Sequence, residues 1–332
     1  MNRRVKADDV ARAAGVSKTT LSHALSGKGR MRDETRERVV RVAGEMGYVP
    51  DQRSLALKTG QSGVLAFVTG LAPEFGQGLG FQYVAEFAGA AAQSALAAGR
   101  VLALVPSVGR VEWMSKLPLD GAILTDPAMN DPILQALRTQ WVPYVTVGPE
   151  PGRSPEEQWW VSVDEHKATQ LGLDHLYARG ARSIALVVSE EERWYARTSR
   201  STYESWAAAH AMRAQVCLVQ ESSAAAGAKA AIIDLLAREP AIDGAYAPEN
   251  VFGAGVLDGA LAAGREVPRE FRLVTMDSPW AVAVEPHLTC VDTLLADTAR
   301  EAVRLLVGRI AEPTAPAEST VLNPQLIVRG SS

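Results

Sequence analysis

The sequence predicts an α/β protein in three parts: an N-terminal three-helix helix-turn-helix head, a linker, and two doubly wound α/β lobes. Three observations predict it. Two short helical patterns in "DDVARAAGVSKTTLSHAL" (8–25) flank Gly15-Val16-Ser17, and a third starts near Asp33. From Gly63 onward, short β-rich apolar runs alternate with longer helical patterns, which indicates buried parallel sheets made of βαβ units. The strands are too many for one compact sheet, and "PEPGRSP" (149–155) breaks the series near its middle. The expected parts are a head at 1–49, a linker at 50–62 and a core at 63–332.

Composition narrows the function. At 332 residues and 47% hydrophobic content, the chain is long enough for two or three folded domains. No window approaches the roughly 18 consecutive apolar residues of a membrane span. "MNRRVKADDV" lacks the apolar stretch of a secretory signal. Cys217 and Cys290 lie far apart in sequence, which fits a reduced, cytoplasmic pair. The five histidines show no metal-ligand spacing, and neither G-x-x-x-x-G-K-[ST] nor G-x-S-x-G occurs. We therefore expect no cofactor, no metal and no catalytic site. Residues 1–60 carry 13 Lys and Arg against 7 Asp and Glu, the remainder 21 against 31. A head of +6 on a body of −10 suggests that the head meets a polyanion, a solvated basic helix being the alternative.

In the head, Val10, Ala13 and Ala14 share helical spacing. Gly15 can take the left-handed conformation that ends a first helix. Ser17 can cap a second helix through its hydroxyl. Val16, Leu21, Ala24 and Leu25 then face inward, leaving Lys18, Thr19, Ser22 and His23 outside near that helix's start. In a helix-turn-helix this part enters the DNA major groove. A third helix over about Asp33–Met46 presents Val39, Val40, Val42, Ala43 and Met46 as its apolar face, and Gly47 ends it.

The stretch 8–25 followed by "DETRERVVRVAGEMGYVP" resembles the headpiece of the lactose-repressor/galactose-repressor (LacI/GalR) family. Its D-V-A-x-x-A-G-V-S-x-x-T-[VL]-S pattern and trailing G-Y-x-P are both present. The resemblance places Lys18, Thr19 and His23 where the family reads base edges: Thr can donate or accept at several bases, while Lys and His suit guanine O6 and N7. It places Ser17, Thr20 and Ser22 where hydroxyls contact phosphates, with capping and solvent contact as the alternative role. Arg32 stands where the family often has a capping Ser or Thr. Asp33 is expected to take over the cap, freeing Arg32 for a phosphate.

"PDQRSLALKTGQSG" (50–63) resembles the family's hinge, too short to hold a helix alone in water. Leu57 occupies the position of the leucine wedge that enters the minor groove and bends the duplex. Docking onto the body is its alternative. Leu55 replaces a usual arginine and Asp51 a usual Asn or Ser, and Arg53 can restore the lost charge.

In the core, the strand runs are "GVLAFVTG", "VLALVPS", "GAILTD", "VPYVTVG", "VSVD", "SIALVVS", "QVCLVQ", "DGAYAP" and "RLVTMD". The helices between them are expected at 81–98, a short one after "VLALVPS", then 132–139, 165–178, 202–212, 225–237 and 251–263. "LTCVDT" and the closing "NPQLIVRGSS" resemble the LacI-family core, which is itself similar to periplasmic sugar-binding proteins. This implies chain crossings near Val161–Val163, Thr289–Thr293 and Val321–Pro324. The first lobe would span about 63–161 and 293–321, the second about 162–292 and 322–332. Ligands of such folds bind at strand C-terminal ends, here between the lobes.

The resemblance also implies an effector site. Asp277 in "TMDS" matches the family's acidic residue after a strand, with a turn or cap role as its alternative. Glu249 and Asn250 stand where Asn-Asp is common. In "RTSRSTYESW" (197–206) Ser199 holds the place of the effector arginine and Thr202 that of a glycine. Arg200 is the remaining candidate, against a surface role. Thr125, Asp126, Thr293 and Phe75 complete the expected pocket. Trp159, Trp160 and Trp194 can stack on a sugar or belong to the core or rim. "GAGVLDG" (253–259) reads as close helix packing rather than a dinucleotide loop, since a third glycine at that spacing is missing.

The expected function is a ligand-responsive transcription regulator in the cytoplasm, most simply a repressor. Its partners are a palindromic double-stranded DNA operator, a small-molecule effector (by family habit a carbohydrate) and its own copy in a homodimer or tetramer. A membrane is not among them. A non-sugar effector and an activator role are the alternatives within this class. An enzyme and a secreted solute-binding protein are the alternatives outside it.

Overall fold

The computed structural model describes residues 5–26, 31–48, 60–69, 79–106, 111, 113, 114, 116–276, 279–282 and 284–332. The chain divides into two compact units, 1–62 and 63–332.

The first unit holds α1 (Ala7–Ala13), α2 (Lys18–Ser26) and α3 (Asp33–Glu45). Gly15 has φ +64°, which turns the chain and lets the Val16 N–H donate back to the Ala11 carbonyl at 2.9 Å. The Ser17 hydroxyl accepts the Thr20 N–H at 3.1 Å, closing the first turn of α2. Val10, Ala14, Leu21, Val39 and Ala43 form the core. Two expectations are corrected. Val40 is 49% exposed, because it lies a third of a helical turn from buried Val39. Arg32 is itself the N-cap residue of α3, without a side-chain cap bond, and Asp33 is the first helical residue.

The second unit contains two six-stranded sheets. The first is wholly parallel and includes β1 (Val64–Thr69), β2 (Val101–Pro106), β3 (Gly121–Thr125), β4 (Tyr144–Val147) and β5 (Trp160–Val163). β11 (Ser319–Leu322) joins it beside β5. Helix α4 (Leu79–Ala97) packs against it, and so does α10 (Leu295–Ala311), which inserts Ala299, Ala302, Val303 and Leu306 beside Leu65 and Phe87. On the opposite face α5 (Pro132–Thr139) begins with Pro132 behind Asp131, whose carboxylate accepts the Ile133 N–H at 2.8 Å.

The second sheet includes β6 (Ile184–Ser189), β7 (Gln215–Val219), β8 (Gly244–Ala247), β9 (Arg272–Met276), β10 (Thr289–Asp292) and antiparallel β12 (Gln325–Ile327). Helices α6 (Glu165–Ala178) and α7 (Trp194–Ala209) cover one face, and α8 (Ala224–Arg238) and α9 (Asn250–Ala262) the other. Gly255 and Gly259 let α8 and α9 touch: an added Cβ would lie 2.1 Å from the Ala225 carbonyl oxygen and 2.2 Å from Ile232 Cγ2. Close helix packing is thus what "GAGVLDG" serves.

The chain crosses between sheets after β5, after β10 and after β11. Ser162 and Val163 still belong to the first sheet, so the first crossing falls beyond 161. The first and third crossings are joined, the Asp164 N–H donating to the Leu322 carbonyl at 2.8 Å. Helix α7 starts eight residues before the expected Thr202. The short helix expected after β2 falls largely in a stretch that includes residues outside the described set. Among the described residues, no helix is long and apolar enough to cross a membrane.

Candidate functional site

Two places combine exposed or enclosed polar groups. The first is the start of α2. Lys18, Thr19 and His23 are exposed there, and Ser22 is half-buried. Lys18 Nζ lies 2.6 Å from Asp8 Oδ1, an ion pair open to solvent on both sides. The Ser17 and Thr20 hydroxyls are 2.8 Å apart, so one donates to the other and the accepting one keeps its proton for a phosphate. The α2 face is cationic and hydroxyl-rich, the chemistry of a DNA-reading helix. Leu57 and Arg53 lie outside the described residues.

The second place is a cavity between the two sheets of the core, about 840 Å³ with its open mouth included, a size typical of small-molecule sites. The first lobe lines it with Tyr83, Asp126, Val147 and Thr298, and the second with Tyr195, Glu249, Asn250 and Met276. Glu165 and Thr293, beside two of the crossings, complete the polar part. Asp126 and Leu294 carry left-handed backbones, φ +44° and +51°. Such strain is held by surrounding structure and clusters at binding sites.

Arg193, only 5% exposed, ties the lobes together. Its Nε and Nη2 donate to the two oxygens of Glu221 at 2.5 and 2.8 Å, and Nη2 also reaches Glu191 at 2.9 Å. Its Nη1 donates across the cleft to the main-chain carbonyl of Asp126. Glu221 accepts further bonds from the hydroxyls of Tyr195 and Ser189 at 3.3 and 3.4 Å. The Glu249 carboxylate accepts the Ser189 N–H at 3.0 Å.

The cleft disfavours negative charge. Burial pushes Asp126 up to about 7, with Arg193 pulling it down and Glu221 pushing it further up. Burial, and then the neighbouring Asp126, push Glu165 up to about 8. Glu165 opens α6, where a helix dipole favours an anion by about 0.3–1 kcal/mol. A shift of that size is several-fold larger, so burial wins. Burial also raises Glu249 well above its ordinary value.

These shifts make stability depend on pH. A carboxyl whose folded pKa exceeds its unfolded value binds more protons when folded. Its contribution is full below about 4.5 and is lost as pH rises to about 8. Glu165→Gln removes that loss. The variant should melt about 5 °C above the parent at pH 8.5 and within about 1 °C of it at pH 4.5. Calorimetry at both pH values checks this, and equal shifts at both would point to altered packing instead.

The expected effector residues fall into four groups. Asp126, Glu249, Asn250 and Thr293 line the cavity. Thr125 is fully buried behind it and does not line it. Asp277 and Phe75 lie outside the described residues. The expectation for Arg200 is corrected: it lies on the outer face of α7, about half exposed, with Nε 3.0 Å from Glu204 Oε1. Ser199 and Thr202 turn toward α6 instead, bonding Thr169 at 3.1 Å and His166 at 2.6 Å. Trp159 and Trp160 are buried, and none of the three candidate tryptophans lines the cavity.

Sequence reasoning missed Glu165, Tyr83, Tyr195 and the Arg193–Glu221 pair. Glu165 reads as an ordinary first-turn acid. Arg193 ends "SEEER" (189–193), a charge run that reads as a solvated turn.

Residues 6–51 match the family model for bacterial regulatory proteins of the lacI family, and residues 173–332 match a periplasmic binding protein-like domain. The HTH-type transcriptional regulator CelR of Thermobifida fusca is 29% identical over 99% of this chain and 98% of its own. MalR of Streptomyces coelicolor, also an HTH-type transcriptional regulator, is 25% identical over 98% and 95%. A solved transcriptional regulator CelR–cellobiose complex matches with a TM-score of 0.75 at 26% identity, covering 99% of this chain and 100% of that one. The lac repressor dimer bound to operator and the anti-inducer ONPF matches with a TM-score of 0.76 at 19% identity, covering 99% of each, a likeness of fold.

Proposed function

We propose, for a chain that belongs to the lacI family of bacterial regulatory proteins, that a small polyhydroxylated molecule in the interlobe cavity controls DNA binding by the head. The protein is a DNA-binding transcriptional regulator of that family. The observation that carries the proposal is one chain joining a cationic α2 face to an open-mouthed cavity lined from two lobes by Asp126, Glu249, Asn250 and apolar side chains. A cavity lined by both lobes lets a ligand bind the closed arrangement better than the open one, and only such differential affinity can shift an equilibrium.

We read the regulator as a cytoplasmic homodimeric repressor, not an enzyme. One head meets half a site, and paired heads on a palindrome raise both affinity and specificity. Lys18, Thr19 and His23 read bases, while Ser17, Thr20, Ser22 and Arg32 hold phosphates. Leu57, with Arg53, bends the duplex through the minor groove, the role the family resemblance implies. The cellobiose in the CelR complex favours a carbohydrate as effector.

The test is retention on the regulator's own upstream DNA, with and without cellobiose or maltose. Ligand-sensitive retention is the expected result. DNA binding indifferent to every sugar would remove the carbohydrate, and failure to bind any DNA, or turnover of the sugar, would remove the regulator.

Within this reading, the exposed Lys18–Asp8 pair contributes little to stability. Lys18→Ala should therefore leave the melting temperature unchanged. It should weaken the specific complex about tenfold or more and relax preference at one base position. Selection from randomised sites checks it. An unchanged preferred site would take Lys18 off the reading face.

A further inference from the structure

We infer that the ligand of the interlobe cavity carries a protonated amine, which makes it an amino sugar rather than a neutral one. The inference rests on the proposed reading of this cavity as a carbohydrate site and narrows its chemical class.

Three carboxyl groups, Asp126, Glu165 and Glu249, line one cavity from three different elements. The described lining contains no lysine or arginine. Arg193 is the nearby cation, and its guanidinium is spent on Glu221, Glu191 and the Asp126 carbonyl. Its charge also acts on Asp126 and Glu249, whereas the charges acting on Glu165 are those of Asp126 and Asp164. Glu165 is more than nine-tenths buried, and its Oε2 has no hydrogen-bond partner. Its other oxygen has only a 3.5 Å contact with the Ser162 hydroxyl. An unpaired buried carboxyl is costly to keep, and an ammonium donor relieves it as a charge-assisted hydrogen bond.

A neutral sugar would offer hydroxyl donors to the same acids. It would supply no charge to stabilise the ionised form of Glu165, which burial keeps mostly protonated at neutral pH beside an Asp126 that is about half ionised there. When the ammonium docks, one carboxyl gives its proton to bulk water and becomes the counter-ion. The groups facing this exchange are Tyr83 on α4, Tyr195 and Arg193 at the start of α7, and Glu221 behind them.

The probes are cellobiose and its counterpart in which both 2-hydroxyls are amines, the β-1,4-linked glucosamine disaccharide. Titration calorimetry with the full chain at pH 6.5, where the amines are already charged and Glu165 still holds its proton, should give at least 30-fold tighter binding of the diamine. It should also release about one proton per ligand, read as a dependence of heat on buffer ionisation. Glu165→Gln should cut the diamine-over-cellobiose preference at least tenfold, both affinities being measured in the variant so that a loss common to the two sugars cancels. Circular dichroism confirms that the variant is folded. Cellobiose bound as tightly as the diamine would overturn the inference and leave the proposed carbohydrate function standing. If neither disaccharide binds, spermidine decides. Its binding would keep the cationic ligand and remove the sugar, and its failure would remove both.

Discussion

Gly255→Ala should cost about 3 kcal/mol or more, among the largest effects open to a single methyl group here. Its Cβ would sit 2.1 Å from the Ala225 carbonyl oxygen and 2.9 Å from Ala228 Cβ. The nearest obstacle is main chain on the facing helix, so no side chain can swing away. The pair α8–α9 must part, and the apolar layer of Ile232, Leu235, Val256 and Ala260 opens with it. Gly308→Ala is the control. Gly308 lies in α10 with open space where the methyl would go. That change should stabilise by about 0.5–1 kcal/mol through helix propensity alone. Urea unfolding of both variants checks the pair. A Gly255→Ala loss under about 1 kcal/mol would mean the helices are not in contact there.

Arg193→Ala should destabilise the core by about 3–5 kcal/mol, since it abandons Glu221, which is 1% exposed, without its counter-ion. A surface ion pair such as Arg238–Asp234 should cost under about 1 kcal/mol when broken. Burial, not the number of bonds, sets the difference. The double variant Arg193→Met, Glu221→Leu should recover most of the loss, because it removes both charges together. A double-mutant cycle by thermal unfolding measures the coupling. Additive losses would show that the pair contributes through packing instead of charge.

Much of this architecture was legible in the sequence, and the reasons are local. Helix α6 begins where Asp164 caps it, and α5 where Asp131 and Pro132 fix its first turn. Gly15 and Ser17 mark the turn between α1 and α2 by the conformation and the hydroxyl that turn requires. The start of α7 was not legible. Arg193 caps it without a side-chain bond, and Thr198, Ser199 and Ser201 read as loop. The Ser199 and Ser201 hydroxyls are satisfied by α6 and by the helix's own Thr198 carbonyl, partners that exist only in three dimensions. Arg200 was reached as the neighbour of Ser199, which holds the family arginine's place, and one step along the helix turns it about 100° to the exposed face. The acids of the cavity were half legible. Asp126 and Glu249 end strand–helix connections, where ligands of such sheets gather. Glu165 looks like any acid in a first turn, and only its enclosure distinguishes it.

The order in which the strands interleave also sets a timetable for synthesis. The first sheet receives its last strand, β11, from residues 319–322, and the second receives β12 from 325–327. Until that stretch leaves the ribosome, β5 and β10 each keep a bare backbone edge. Neither lobe can then finish early and serve as a template for the other, so the core should mature late and as one cooperative block. A chain interrupted before Ser319 would carry both unpaired edges at once, and such edges recruit other chains. The same interleaving that places two crossings beside the ligand cavity therefore makes incomplete chains of this regulator prone to aggregate, and pulse-chase fractionation of stalled products should find them in the pellet.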